Sequence, residues 1–351
     1  MKACVVFCTI RETDSFKEYA RNFRKWNHNP NIIVVDETEE TRDLIRKSME
    51  GFNVEFYGAK ERTRFFNSHG YDRDTVPCKT TDVIGFSLLV AFQRNYDMIV
   101  FVDDDTYPLQ HYDFLGRHWK NLNGHSRREM DSLYGWVNPH PRLFGRGYPY
   151  SLRMKHVDMK SDVVKEGAVL NMGLWRDVPD LNALDYLFLG SLHGVYHDKG
   201  VFDSKSYMLG NNYMPLCRMN MAFKPKIIPA FYQGTGKIHG VGRYGDVFSG
   251  LFLMKIARFL GDNISFGHTI CIHRKEPRDV FNDIANENEA VKINETLWKV
   301  LDKIELEGKT YAECYLSLAK GLLKHKNDFH NAEYIEYLVG RMRNWVKVVE
   351  T

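Results

Sequence analysis

The sequence has no stretch approaching the roughly 18 consecutive apolar residues of a membrane span, and its opening Met-Lys-Ala-Cys-Val-Val-Phe-Cys is too short an apolar run for a signal peptide. It has no Cys-x-x-Cys pair either. The six cysteines (Cys4, Cys8, Cys78, Cys217, Cys271, Cys314) lack zinc spacing and read as reduced thiols, most of them in the core. Together these absences predict a cytoplasmic protein without membrane contact. An excess of one charge is missing too: 48 Lys+Arg against 45 Asp+Glu leave +3, so net charge makes no case for a polyanion partner and only local clusters can. No internal repeat or low-complexity tract appears. No Gly-x-Gly-x-x-Gly follows the first apolar run, which disfavours a dinucleotide oxidoreductase.

What is present is a 351-residue chain with 44% hydrophobic residues, enough for one large α/β domain with an appendage. Residues 3–8 and 32–35 are short apolar runs that read as buried strands, each followed by a helical pattern: Phe16, Tyr19, Ala20 and Phe23 in the first, Thr41 to Met49 in the second. A weaker strand at 54–57, an apolar helix near 83–92 and the strong strand Met98–Val102 continue the alternation. Such a pattern predicts a mostly parallel sheet with helices on both faces and ligands beyond the carboxyl ends of its strands. Thr9, Arg11, Asp36 and Asp103–Asp105 should then gather along one edge. Expected boundaries are 1–110 for a nucleotide-binding half, 111–284 for a sugar and acceptor half, and 285–351 for a C-terminal helical appendage. Within that appendage Tyr311, Tyr315, Leu318 and Leu322 share one helix face, and Ile335, Val339, Met342, Val346 and Val349 another.

Three aspartates close the strong strand. Side chains alternate along a strand, so Asp103 and Asp105 face one way and Asp104 the other. Massed carboxylates repel unless a cation lies between them, and hard oxygen ligands suit Mg²⁺ or Mn²⁺ with a diphosphate completing the shell. His273, at the end of the apolar run 269–272, is the late candidate for a further metal ligand. Between Arg142 and Lys165, six basic residues (Arg142, Arg146, Arg153, Lys155, Lys160, Lys165) face only Asp158 and Asp162. Such a stretch either neutralises phosphate or is a solvated loop. Arg146 stands out because Gly145 and Gly147 flank it and let the backbone approach a ligand closely. Asp246, after Gly242-Arg243-Tyr244-Gly245, reads equally as the cap of an apolar helix over 247–259 and as a catalytic or sugar-binding carboxylate.

Taken in order along the chain, several segments resemble the reversibly glycosylated polypeptides, the UDP-arabinopyranose mutase family of GT-A-fold glycosyltransferase relatives. They are Thr9-Ile10-Arg11, Ile33-Val34-Val35-Asp36, Asp103-Asp104-Asp105, the run from Arg146-Gly147-Tyr148-Pro149 to Arg153, Gly173-Leu174-Trp175 with Val178-Pro179-Asp180, and Met214 to Phe223. Gly242 to Asp246, His273 and Glu313 to Lys320 complete the set. The resemblance implies a GT-A fold, a UDP-sugar, a Mn²⁺ or Mg²⁺ ion at Asp103, Asp105 and His273, and Arg146 as a reversibly glycosylated arginine. It also implies that Thr9, Arg11, Asp36, Asp104, Trp175 and Asp180 surround the nucleotide sugar, with Asp246 beside the sugar or acceptor hydroxyls.

The chain departs from the family where Tyr-Asp-Asp becomes Tyr244-Gly245-Asp246, losing one acidic side chain, and it carries basic segments at 117–128 and 142–165. Both features tilt the expectation towards transfer of a pentose such as arabinose to an acceptor hydroxyl. That acceptor is a hydroxymethylated DNA base, a glycan or a protein. The alternatives are a mutase interconverting pyranose and furanose forms through the arginine adduct, and a nonenzymatic nucleotide-sugar-binding subunit. Homo-oligomerisation is compatible with all three.

Overall fold

In the computed structural model the chain is described throughout except at residues 12, 77–80, 125, 141, 200–204, 235, 237–238 and 351. Cys78 lies outside the described residues; the other five cysteines are free thiols, four of them buried. The first third alternates as the hydrophobic pattern predicts: β1 (Ala3–Thr9), α1 (Asp14–Lys25), β2 (Asn31–Asp36), α2 (Arg42–Ser48), β3 (Val54–Phe56), α3 (Ala59–His69), α4 (Gly85–Phe92) and β4 (Met98–Asp103). These strands read as unbroken apolar runs because helices cover both faces of a parallel sheet. Thr13 starts α1 by accepting a hydrogen bond from the Ser15 amide at 3.3 Å. Register aligns the strand ends, with Thr9 opposite Asp36 on β2 and Cys8 opposite Asp103 on β4.

The second third supplies β5 (Thr106–Pro108), α5 (Phe114–Leu122), β6 (Arg127–Ser132), β7 (Asp158–Lys165), β8 (Leu170–Asp177), α6 (Ala183–Phe188), β9 (Ser206–Met208), β10 (Asn220–Phe223), α7 (Gly245–Phe259) and β11 (Ile264–His273). The sheet runs β3-β2-β1-β4-β10-β8-β11-β9-β6-β7, with β5 paired to β11. It is parallel from β3 to β4 and mixed beyond, because β10 enters antiparallel between β4 and β8. The α/β class with a large central sheet and flanking helices is therefore as the sequence predicts.

Last come α8 (Val280–Lys303), α9 (Tyr311–Lys324) and α10 (Ala332–Val349). The nine apolar positions expected on two helix faces, from Tyr311 to Val349, are all buried. These helices share one continuous core with the sheet. α8 begins at Val280, so the expected boundary at 284–285 falls inside a helix. Trp345 anchors α10 by donating from Nε1 to the Ile228 carbonyl at 2.9 Å, and Tyr311 anchors α9 through Asp262 at 2.8 Å.

Under the centre of the sheet lies a fully buried polar relay. Phe266 to Ile270 form a bulge in β11 against β8, which takes the Thr269 carbonyl out of the ladder. Asn220 donates to that carbonyl at 2.7 Å and to the Leu174 carbonyl at 2.8 Å. Its own oxygen meets His118 Nε2 at 3.0 Å, and His118 Nδ1 meets Asn171 at 3.0 Å. Burial holds His118 down to about 4, so its ring is neutral at pH 7. Gly173 completes the arrangement: a Cβ there would stand 2.3 Å from Asn220 Nδ2 and 2.4 Å from the Thr269 oxygen. Replacing Asn220 by leucine strands two carbonyls and an imidazole, so Asn220→Leu is expected to lose about 2 to 5 kcal/mol in urea unfolding at pH 7; a loss below 1 kcal/mol refutes the relay's structural role.

Candidate active site

The ends of β1 and β4, neighbours in the sheet, and the end of β11, where His273 pairs with Thr106 of β5 just beyond the aspartates, bring the acidic cluster together with His273. The neighbouring carboxylates differ in environment. Asp104 accepts from Thr9 Oγ1 at 2.6 Å and lies 3.4 Å from Arg11 Nη2, and its main-chain oxygen accepts from Thr13 Oγ1. Asp105 points the other way; the strand ends at Asp103, so a turn at 104–105 and not strand alternation sets this direction. Its Oδ2 is 3.6 Å from His273 Nε2, an ion-pair separation longer than a hydrogen bond. Its Oδ1 is buried with no hydrogen-bond partner. His273 Nδ1 is fixed by the Val178 carbonyl at 2.7 Å, which turns Nε2 towards the aspartates. Burial, then the charge of Asp105, push the Asp103 carboxyl up to about 7. An orphaned carboxylate oxygen, a crowded carboxylate and an imidazole held at its far nitrogen form a donor set that fits a hard divalent cation.

Beside it is a second charged group, built on Arg146. This side chain is 8% exposed and all five of its N–H donors are engaged. Nε donates to Asp180 at 3.0 Å, and Nη1 to Asp246 Oδ1 at 3.0 Å and to the Arg243 carbonyl. Nη2 reaches Asp246 Oδ2 at 2.8 Å and Asp180 Oδ2 at 2.9 Å. Arg243 holds a left-handed backbone, φ 60°, a conformation that costs a non-glycine residue about 1 kcal/mol and here turns its carbonyl to Arg146. Its own side chain bonds Asp283 and Glu287 of α8, and Glu287 accepts from the Ala183 amide at 2.7 Å. Although burial opposes it, Arg146 holds the Asp180 carboxyl well below the usual range. Asp180, Cys217 and Asp246 bring ligand atoms within 4.8 Å of one another. The Arg146 guanidinium already neutralises that group, and burial followed by both aspartates keeps the Cys217 thiol protonated, so it is an arginine site.

Both groups line one cavity of about 120 Å³, together with Arg218, Arg243, Lys275 and Arg278. The Lys275 ammonium is buried without a hydrogen-bond partner, sits 4.0 Å over the Tyr186 ring, and is brought down to about 8 by burial and then by Arg243. A pocket that holds carboxylates at one end and unquenched cations at the other suits a metal-bound, doubly charged phosphate group.

A family model described as "Reversibly glycosylated polypeptide" matches residues 2–351. The chain belongs to that family. No curated protein matches it in sequence. Among solved structures it is similar to glucosyl-3-phosphoglycerate synthase from Mycobacterium tuberculosis. The complex of that protein with Mn²⁺, UDP and glucosyl-3-phosphoglycerate is 14% identical, covers 84% of this chain and 79% of that one, and has a TM-score of 0.43. Its complex with Mg²⁺ and UDP is also 14% identical, covers 86% and 77%, and scores 0.39. At these scores the likeness is loose.

In this chain the expected site residues Asp103, Asp105, His273, Arg146, Asp180 and Asp246 converge on the cavity. Thr9, Arg11 and Asp104 are bonded to one another beside the cavity and are not among its lining residues. Asp36 is fully buried and both its oxygens are taken by Arg42, at 2.7 and 3.0 Å. Trp175 lies on the other side of Arg146, lining a small void with Asp180 and Cys217. Asp246 does not cap α7. The cap position is Tyr244 and Asp246 sits in the first turn, because its carboxylate is drawn to Arg146. The basic stretch from 142 to 165 is largely neutralised: Arg146 as above, Arg153 by Asp185, Arg142 by Asp198 and Lys165 by Glu129. Arg218, Arg243, Lys275 and Arg278 were not anticipated from the sequence. Lys275 carried a usable signal, standing two residues beyond His273 at a strand end.

Removing one carboxylate from a buried ion group leaves an uncompensated charge, so Asp180→Asn is expected to cost about 3 to 5 kcal/mol. Because the folded carboxyl titrates below its unfolded value, its contribution is complete above about pH 4 and lost as pH falls through the folded value. Urea unfolding from pH 7 to pH 2 should show wild type converging on the variant at the acid end, and parallel curves would refute the linkage.

Proposed function

We propose that this protein is a divalent-cation-dependent UDP-sugar enzyme of GT-A type that breaks the anomeric C–O bond and passes a pentose to an acceptor hydroxyl, with a hydroxymethylated base in DNA as the acceptor. The observation that carries it is the single cavity joining Asp103, Asp105 and His273 to Lys275, Arg278 and the Asp180–Arg146–Asp246 group, in a chain that matches the family from end to end. Asp103, Asp105 and His273 would hold Mn²⁺ or Mg²⁺. Bound there, the ion supplies Lewis-acid stabilisation of the departing diphosphate. Lys275, Arg278 and Arg218 neutralise the same leaving group from the protein side. Asp104, set by Thr9 and Arg11, lies towards the nucleoside. Asp246 and Asp180, oriented by Arg146, present carboxylate to sugar or acceptor hydroxyls.

Placing Arg146 in the cavity favours a second reading, a mutase that passes the glycosyl group through an arginine adduct. Against it, every N–H of Arg146 is committed to an acceptor, and two flanking carboxylates raise its pKa further against the effect of burial. A guanidinium so held has no lone pair to offer. It serves better as a fixed positioning group, and transfer is the reading adopted.

Purified protein incubated with UDP-arabinopyranose or UDP-arabinofuranose and Mn²⁺ should release UDP only when hydroxymethylated DNA is supplied, and Asp105→Asn should abolish release with the fold intact. Interconversion of the two nucleotide sugars without acceptor would establish the mutase instead. UDP sugars left untouched under every condition would support a nonenzymatic binding subunit. Since Asp103 keeps its proton up to about pH 7, cation binding must displace it. Mn²⁺ affinity, measured by calorimetry, is therefore expected to fall roughly tenfold per pH unit below 7, with proton release on binding; a flat profile from pH 5 to 8 would remove Asp103 from the cation site.

A further inference from the structure

The two basic segments of the sequence meet at a place away from the catalytic cavity. α5, the β6–β7 hairpin and β9 enclose an open cleft of about 920 Å³. Arg117 and Lys120 come from α5, Arg127 and Arg128 from β6, Lys160 from β7 and Lys205 from the residue before β9. Asp113 is the one carboxylate among the described lining residues, and it is occupied by His28 at 2.7 Å and by the Gly116 amide at 2.8 Å. Arg128 has a distant, solvent-exposed neighbour in Asp162 at 3.8 Å.

Arg127 shows that this wall is built for an anion. It is only 5% exposed. Nη2 donates to the Asn121 carbonyl at 2.7 Å, at the end of α5, while Nε and Nη1 are buried with no hydrogen-bond partner. Burial with no compensating carboxylate draws its guanidinium down to about 10. Arg117 is stacked over the Tyr112 ring at 4.1 Å and meets His268 through Nη1. Lys160 stands 5.4 Å over the Tyr207 ring. A buried arginine with idle donors is costly unless a ligand completes it. The cleft is also too large, and its cations too widely spread, from α5 across β6 and β7 to the start of β9, for one small oxyanion to fill. A phosphodiester chain, with charges repeating every few ångströms and no need for deep enclosure, matches both features. β11 links the two places: His268 lines the cleft and His273 the catalytic cavity, five residues apart, roughly 16 Å along a strand.

We propose that this cleft is the docking site for the phosphate backbone of a nucleic acid, holding the polymer while one of its bases is presented to the catalytic cavity. The proposal rests on the polynucleotide acceptor of the preceding reading and assigns the surface that would recognise it. Contacts here are to phosphate, so binding is sensitive to salt and indifferent to base modification.

The test uses the full chain, a fluorescent unmodified DNA duplex, and anisotropy titrations across a range of salt concentrations. Lys120→Gln/Lys160→Gln removes two exposed charges without touching buried Arg127. The slope of log affinity against log salt is expected to become shallower by about 1.8, near 0.9 for each lost phosphate contact. Mn²⁺-dependent UDP binding, measured by calorimetry on the same variant, should stay at the wild-type value. An unchanged slope in the variant, no duplex binding by wild type, or tighter binding of tripolyphosphate or polyglutamate than of duplex would each overturn the proposal. Duplex binding that weakens as expected, in a protein that never consumes UDP sugars, would uphold the cleft and sink the transferase.

Discussion

The structure depends on one buried cation. Arg146 draws together four segments distant in sequence: its own Gly-Arg-Gly turn, the loop after β8 through Asp180, the first turn of α7 through Asp246, and α8 through the carbonyl and side chain of Arg243. Taking such a charge from water costs several kcal/mol per ion unless its donors are met. The chain meets all of them, so none of the four segments can shift without exposing an unpaired charge. Rigidity of this kind suits any site that must hold reacting groups to within fractions of an ångström. It also explains why α8 packs so closely against the catalytic loops despite its place in a C-terminal extension.

The first third of the chain was readable because its strands are local and apolar on both faces. Ile32–Val35 and Met98–Val102 leave no other interpretation, and the aspartates after Val102 mark where that strand gives way to a turn. α8 was not readable in the same way. Its inward face carries Asp283, Glu287 and Asn294 among the apolar residues, polar groups that are buried only because Arg243, the Ala183 amide and the Gly147 carbonyl lie opposite. A helix whose inner face is polar gives a weak apolar period. The basic middle misled for a related reason: partners of Arg142, Arg153 and Lys165 lie tens of residues away, so a local count of charge overstates what remains for a ligand. Lys275 in the cavity and Arg127 in the cleft lie outside that stretch, and for them distant folding supplies burial but leaves donor atoms without a hydrogen-bond partner among the described residues.

The two ends of the catalytic cavity divide the electrostatic work. At one end carboxylates outnumber their partners, and burial, then the charge of Asp105, favour a proton on Asp103. At the other, cations are kept dry, where their field is least weakened by solvent. Each end is unfavourable alone, and a metal-bound diphosphate satisfies both at once. A site of this kind is stabilised by its ligand more than by its own contacts.

The place of β10 in the sheet has a consequence for synthesis. This strand, residues 220–223, separates β4 from β8, so the two halves of the sheet cannot join until most of the chain has been made. Arg146 and Asp246 are 100 residues apart, an interval of roughly 5 to 20 s of translation at ordinary rates. For that time the arginine on which the finished protein turns is a solvated side chain on a half-built sheet, and the nascent β1–β4 unit must persist beside it with one edge open.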